Sequence, residues 1–227
     1  MTDRVAFITG ASRGVGAAVA RAFHGDGIRV AVASRSGDDL GIGLGLKCDV
    51  SDADAVAAAV DATVAEFGKL DIVVANAGVG AYGDFLDMDP EVVETIIDVN
   101  LKGTLYTARF TLPHLIESKG DFVALASVAA LRGFPGETVY NASKFGQIGF
   151  TRSLDHEMRE LGVRVMNIAP GGIATDFAMG AGRTPDSVEG MMTPQQVADV
   201  VLFAVNQPRD LRMLTVSFRP MNEGSWG

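Results

Sequence analysis

Tyr140 and Lys144 stand four positions apart in VYNASKFGQIGF, a run of mostly small and apolar residues. On a helix that spacing puts a phenol and an ammonium on one face. The pair has a chemical use. A phenol of ordinary pKa ~10 exchanges protons poorly near neutrality, and a neighbouring cation lowers that value by favouring the phenolate. Tyr140 and Lys144 would then form an acid–base couple. Taken alone, the same spacing also describes a half-buried ring beside a solvated charge, so the elements around the two residues decide between the readings.

Those elements alternate. RVAFIT, IRVAVA, LGLKCDV, LDIVVA, DFVALA, VRVMNIA and RMLTVSF are short runs rich in β-branched and apolar residues. Several are apolar almost throughout, which is the pattern of parallel strands covered on both faces. Longer helical stretches lie between them and carry start signals: Ser51 with Asp54 and Thr193 with Gln196 read as capping boxes, and Asp89-Pro90-Glu91 places proline at a first helical position. Strand–helix alternation along the whole chain predicts an α/β fold, a doubly wound, Rossmann-like parallel sheet of about seven strands with helices on both faces. Residues 1–227 read as one dinucleotide-binding and catalytic domain, without repeat or linker. The glycine-rich stretch SRSGDDLGIGLG between the second and third strands predicts a loop in place of a full crossover helix, because each helical glycine costs about 1 kcal/mol against alanine.

The first strand runs into TGASRGVGAAVA. Gly10, Gly14 and Gly16, with Ser12, Arg13 and Val15 between them, let the backbone turn sharply and approach a ligand. The helix that follows offers unpaired N–H groups and a positive dipole end to a phosphate. In a first βαβ unit this predicts dinucleotide binding. An NAD site of this kind carries Asp or Glu at the end of the second strand, on the ribose hydroxyls. Here that strand ends in Ser34-Arg35-Ser36, and the nearest acids, Asp38 and Asp39, lie further into the loop. Arg13 and Arg35 would clamp a 2′-phosphate through paired, charge-assisted hydrogen bonds. NADP(H) is therefore the preferred cofactor and NAD(H) the alternative, the latter favoured if the short 36–45 loop turns Asp38 or Asp39 inward.

With TGASRGVG, CDV, ANAG, DVNLKG, SVAALRGFPG, YNASK and PGGIAT in this order, the chain resembles the short-chain dehydrogenase/reductase family in its compact single-domain form. The resemblance covers nearly the whole chain. It implies a catalytic set of Asn100, Ser127, Tyr140 and Lys144. Tyr140 would give a proton to a carbonyl oxygen as hydride reaches the carbon, and Ser127 would hydrogen-bond the same oxygen. Lys144 would also hold the nicotinamide ribose, and Asn100 would position a water leading from Lys144 to solvent, or serve only as a kink in its helix. The remaining cofactor contacts implied are Asp49 and Val50 at the adenine, Asn76, Ala77 and Gly78 after the fourth strand, and Pro170, Gly171, Ile173 and Thr175 towards the nicotinamide.

The chain departs from the family pattern in the short 36–45 segment and in a C-terminus, MLTVSFRPMNEGSWG, that ends its last strand in Arg219-Pro220. A homodimer through helices over 90–117 and 138–161 is expected, with a homotetramer as the alternative. A net charge of −9 argues against a nucleic-acid partner. No apolar run reaches the ~18 residues of a membrane span, so a cytoplasmic protein without a membrane partner is expected. The single cysteine, Cys48, excludes an internal disulfide and a Cys-based metal site. For the small-molecule carbonyl or alcohol substrate, segments 78–88, 128–140 and 171–192 offer Tyr82, Phe85, Leu131, Phe134, Phe177, Met179, Met191 and Met192, with Arg132 and Arg183 as anion contacts. The activity expected is NADPH-dependent ketone reduction or NADP⁺-dependent alcohol oxidation. A 3-oxoacyl-thioester reductase and a non-catalytic cofactor-sensing protein are the alternatives.

Overall fold

The strands β1 (Val5–Thr9), β2 (Arg29–Ser34), β3 (Leu44–Lys47), β4 (Ile72–Ala75), β5 (Asp121–Leu125), β6 (Arg164–Pro170) and β7 (Thr215–Phe218) pair in parallel in the order β3-β2-β1-β4-β5-β6-β7. The computed structural model from which this architecture is read describes residues 3–177 and 184–223. Every residue of β1, β4, β5 and β6 is buried, which explains why these strands are apolar on both sides instead of alternating. The strand order reverses between β1 and β4, and a crevice opens there beyond the carboxyl ends of the strands.

Helices α1 (Gly14–Gly25) and α6 (Pro194–Val205) cover one face: Val19 and Phe23 of α1 and Val197 and Val201 of α6 pack on Ile8, Val32, Val74 and Ile168. The other face takes α2 (Ala53–Phe67), α4 (Gly103–Ser118) and α5 (Thr138–Met158), where Val56, Val60, Leu115 and Leu154 meet Phe7, Val73, Phe122 and Val165. Each such side chain contributes roughly 1.5–3 kcal/mol when fully buried, so the sheet is held rigidly under the crevice. Between α3 (Pro90–Ile96) and α4 the chain runs as a π-helix, Ile97–Lys102.

Several local signals read from the sequence hold and others shift. Thr193 and Gln196 form the capping box of α6, and Asp89 caps α3 with Pro90 as its first residue. Ser51 does not cap α2. The cap is Asp52, whose carboxylate accepts from the Asp54 and Ala55 amides, while the Ser51 hydroxyl donates to Asp49. Strand β4 begins at Ile72 instead of Leu70, and β7 at Thr215 instead of Arg212. No helix forms between β2 and β3: residues 35–43 are a loop, as their glycines require, and the 36–45 segment gives its last two residues to β3; Gly37 and Gly41 have φ of 72° and 68°, and Leu40 joins them at 58°. The Asp38 and Asp39 carboxylates are engaged inside this loop, each accepting at 2.8 Å from the amide two residues on.

Candidate active site

The crevice is a continuous cleft of about 970 Å³. It is lined by all of Gly10, Ser12, Arg13, Gly14, Val15, Gly16, Arg35, Asp49, Val50, Asn76, Ala77, Gly78, Ser127, Tyr140, Lys144, Pro170, Gly171, Ile173 and Thr175. Asn100 is the one residue of the expected set that does not reach it; it sits fully buried behind the wall.

The floor is the turn from β1 into α1. Gly10 has φ 65°, and a Cβ there would lie 2.7 Å from the Ala77 Cα; a Cβ on Gly16 would lie 2.5 Å from Asn76 Nδ2. Only glycine allows so close an approach. Asn76 closes the turn from the other side: its Nδ2 donates to the Thr9 and Gly10 carbonyls at 2.8 and 3.1 Å, and Thr9 Oγ1 accepts from the Asn76 and Ala77 amides, both at 3.1 Å. Among the described residues no side chain caps α1, and no acid sits in its first turn. The first-turn N–H groups are therefore left for an anion, and the cradle fits the pyrophosphate of a dinucleotide.

At the far end from Tyr140, β2 delivers Ser34, Arg35 and Ser36 to the cleft. Asp49 faces the same end. Hydrogen bonds from the Ser51 hydroxyl and amide, at 2.7 and 3.0 Å, hold its carboxyl below the ordinary value, with Arg35 adding to the effect. Cys48 lines the wall beside it; burial, reinforced by Asp49 and Asp52, pushes its thiol up to about 11.

At the other end, α5 starts just before Tyr140 and carries Lys144 one turn after it. Tyr140 is 8% exposed and Lys144 4%, so the lysine is no solvated charge. Lys144 Nζ donates to the Leu125 carbonyl at 3.1 Å and lies 5.6 Å from the centre of the Tyr140 ring. Burial lowers its pKa from 10.5 to about 7. Ser127 follows β5 in extended backbone and opens the 3₁₀ turn Val128–Ala130; its Oγ accepts from the Ala129 amide at 3.1 Å, which leaves the O–H to donate into the cleft.

Asn100 falls in the π-helix. Its side-chain oxygen accepts from Val79 N at 2.8 Å, and its Nδ2 donates to Val79 O at 2.9 Å and Ser143 Oγ at 3.0 Å. Its main-chain carbonyl takes Thr104 Oγ1 at 2.8 Å and Gln147 Nε2 at 2.9 Å. The wide turn thus has its carbonyl satisfied by side chains, and Asn100 ties the strand-end loop at Val79 to the helix that carries Tyr140 and Lys144.

Of the apolar residues expected around substrate, Tyr82, Phe134, Phe177 and Met191 line the cleft. Phe85 does not; it is 54% exposed in a separate 3₁₀ turn. Leu131 instead packs against Ala126, Ala130 and Ile148, and Met192 is buried in a bridge to Ile173. Arg132 is no wall residue either: its guanidinium stacks 4.6 Å above the Phe134 ring. Met179 and Arg183 lie outside the described residues. Sequence reasoning missed Pro220, Asn222 and Glu223, which close the cleft from the C-terminal segment, where Glu223 accepts from Gly172 N at 3.1 Å.

The described helices include none long and apolar enough to cross a membrane. The family model for the short chain dehydrogenases matches residues 4–186. A Staphylococcus aureus protein named as an uncharacterized oxidoreductase is 32% identical over 97% of this chain and 99% of its own. Among solved structures, an alcohol dehydrogenase from Thermococcus sibiricus complexed with 5-hydroxy-NADP superposes with a TM-score of 0.90, at 29% identity over 99% of both chains. A 3-ketoacyl-(acyl-carrier-protein) reductase from Brucella melitensis complexed with NADH follows at 0.89, with 28% identity, over 95% of this chain and 96% of its own.

Proposed function

The chain belongs to the short chain dehydrogenase family, and we propose that within it the protein is an NADP(H)-preferring carbonyl reductase or alcohol dehydrogenase, with residues 1–227 acting as one unit. One observation carries this reading: the Ser127 hydroxyl, the Tyr140 phenol and the Lys144 amine line the same cleft as the glycine cradle. When bound, a reduced nicotinamide supplies a hydride to the carbonyl carbon. Tyr140 gives its proton to the oxygen as negative charge develops there, and Ser127 donates a hydrogen bond to that oxygen.

A protonated Lys144 beside the ring favours the Tyr140 phenolate, and a neutral one favours the phenol. Burial brings the lysine to about 7, so its charged and neutral forms lie close in free energy near neutrality. Lys144 would also hold the nicotinamide ribose, as the family resemblance implies. Asn100 acts through others: it holds Val79 and Ser143, and Ser143 Oγ donates in turn to the Tyr140 carbonyl at 2.7 Å.

The NADP(H) preference is supported by Arg13 and Arg35 on the adenosine end and by the engagement of the Asp38 and Asp39 carboxylates within their own loop. A homodimer through α4 and α5 is supported by Leu105 and Phe145, which stand 36% and 47% exposed on those helices. Reduction of a 3-oxoacyl thioester is the second reading, favoured by the Brucella melitensis neighbour. The test is oxidation of NADPH and NADH by purified protein against a panel of neutral ketones and 3-oxoacyl thioesters. Ketone-dependent oxidation, faster at low NADPH than at equal NADH, is expected. Binding of either cofactor without turnover of any carbonyl would overturn the proposal.

A further inference from the structure

We infer that Asn141 is a positioning residue that sets the size of substrate admitted, by locking the wall loop 128–137 onto the helix that carries Tyr140; the inference rests on the reductase reading above. That loop runs from Ser127 to the start of α5 and gives the cleft Val128, Ala129, Phe134 and Glu137. Such a connection has few hydrogen bonds of its own. A 3₁₀ turn closes one side of it, where Leu131 N donates to Val128 O at 2.9 Å, and Glu137 N donates to Phe134 O at 3.2 Å at the other.

The stretch between is held by the Asn141 side chain, which is buried at 7% exposure. Its Nδ2 donates to Ala129 O at 2.6 Å and to Arg132 O at 2.8 Å, and its Oδ1 accepts from Phe134 N at 3.1 Å. Both amide protons and the oxygen are therefore used, all on the backbone of one loop. Because Asn141 follows Tyr140 directly, the three bonds fix Phe134 and Ser127 relative to the phenol. The far side of the loop is tied too, since Gly136 O accepts from Gly83 N at 3.0 Å. The 128–137 wall is thus a fixed boundary that a bulky substrate cannot displace.

The requirement is for two donors and one acceptor, not for volume. Asn141→Asp keeps the shape and the acceptor but sets a carboxylate against the Ala129 and Arg132 carbonyls, so it should loosen the loop at least as much as Asn141→Ala. Asn141→Ser, which can still donate one hydrogen bond, should restore part of the effect. Two readouts are needed. Amide hydrogen exchange should show residues 129–134 losing about ten-fold or more of their protection in the Asp and Ala variants, with β1 unchanged, since each lost hydrogen bond is worth roughly one such factor. Kinetically, kcat/KM for a bulky aryl ketone should rise relative to that for a small alkyl ketone by about ten-fold, while kcat falls on both and the NADPH Kd stays within about two-fold.

Exchange reports on the loop even if the wild-type protein reduces no ketone, so failure of the reductase reading is distinguishable from failure of this one. Unchanged protection at 129–134, protection lost equally across the chain, or an unaltered ratio between the two ketones would each overturn the role of Asn141.

Discussion

Replacing Lys144 with methionine should make the cofactor-free protein more stable near neutrality and should erase part of its pH dependence. Lys144 is 4% exposed, and burial lowers its pKa from 10.5 to about 7. A lysine lowered on folding binds fewer protons in the folded than in the unfolded chain between those two values. Its burial therefore costs stability in full below pH 7, and the cost fades as pH rises towards 10.5. At 1.36 kcal/mol per pKa unit the full cost is about 5 kcal/mol, falling to about 4 at pH 7 and about 2 at pH 9. A methionine side chain at this position would remove that cost but leave Leu125 O without the hydrogen bond it now accepts, a loss of about 1–3 kcal/mol. The Lys144→Met variant should therefore be about 1–3 kcal/mol more stable at pH 7, and that advantage should shrink by about 2 kcal/mol by pH 9. Urea unfolding of both proteins at pH 7, 8 and 9 measures the difference, in which the other titrating groups cancel. Turnover should be lost in the same variant, the usual trade of stability for function at an active site. An advantage that does not change with pH, or a variant less stable at pH 7, would refute the claim that burial keeps the lysine near its neutral form.

Two further outcomes follow from the cleft. Arg35→Ala should weaken NADPH binding by about ten-fold or more and leave NADH nearly unaffected, as the loss of a charge-assisted hydrogen bond to a 2′-phosphate requires; titration of both cofactors measures it, and equal weakening would remove the clamp. Gly16→Ala should cost about 1–3 kcal/mol of stability and lower the affinity for both cofactors, because its Cβ would fall 2.5 Å from Asn76 Nδ2 and 2.6 Å from the Gly10 carbonyl oxygen; thermal unfolding and cofactor titration check the two parts.

Much of this architecture is legible in the chain because its signals are local. Fully buried parallel strands leave continuous apolar runs such as IVVA and FVAL, the glycine turn sits directly between a strand and a helix, and Thr193–Gln196 caps its helix within one turn. What was not legible depends on competition or on distance. Ser51 and Asp52 both have capping side chains, and only the fold shows Asp49 drawing the Ser51 hydroxyl away, leaving Asp52 as the cap. The π-helix at Asn100 has no periodic signature, because its carbonyl is satisfied by Thr104 and by Gln147 from another helix. Arg132 reads as an anion contact in sequence, and that its guanidinium lies 4.6 Å above the Phe134 ring shows only in the fold. Glu223 meets Gly172 across 51 residues, a pairing that no local pattern encodes.

Tyr140→Phe bears most directly on the claim that this cleft reduces carbonyls with Tyr140 as the proton donor. The change keeps the buried ring and its packing near Phe177, whose ring centre lies 6.0 Å away, and removes only the hydroxyl. With a ketone that the wild-type protein reduces, the variant should bind NADPH with an unchanged Kd while its kcat falls by about 10²–10⁴-fold, the usual contribution of general acid catalysis. Turnover near the wild-type rate with the same ketone would contradict the assignment and move the proton donor elsewhere.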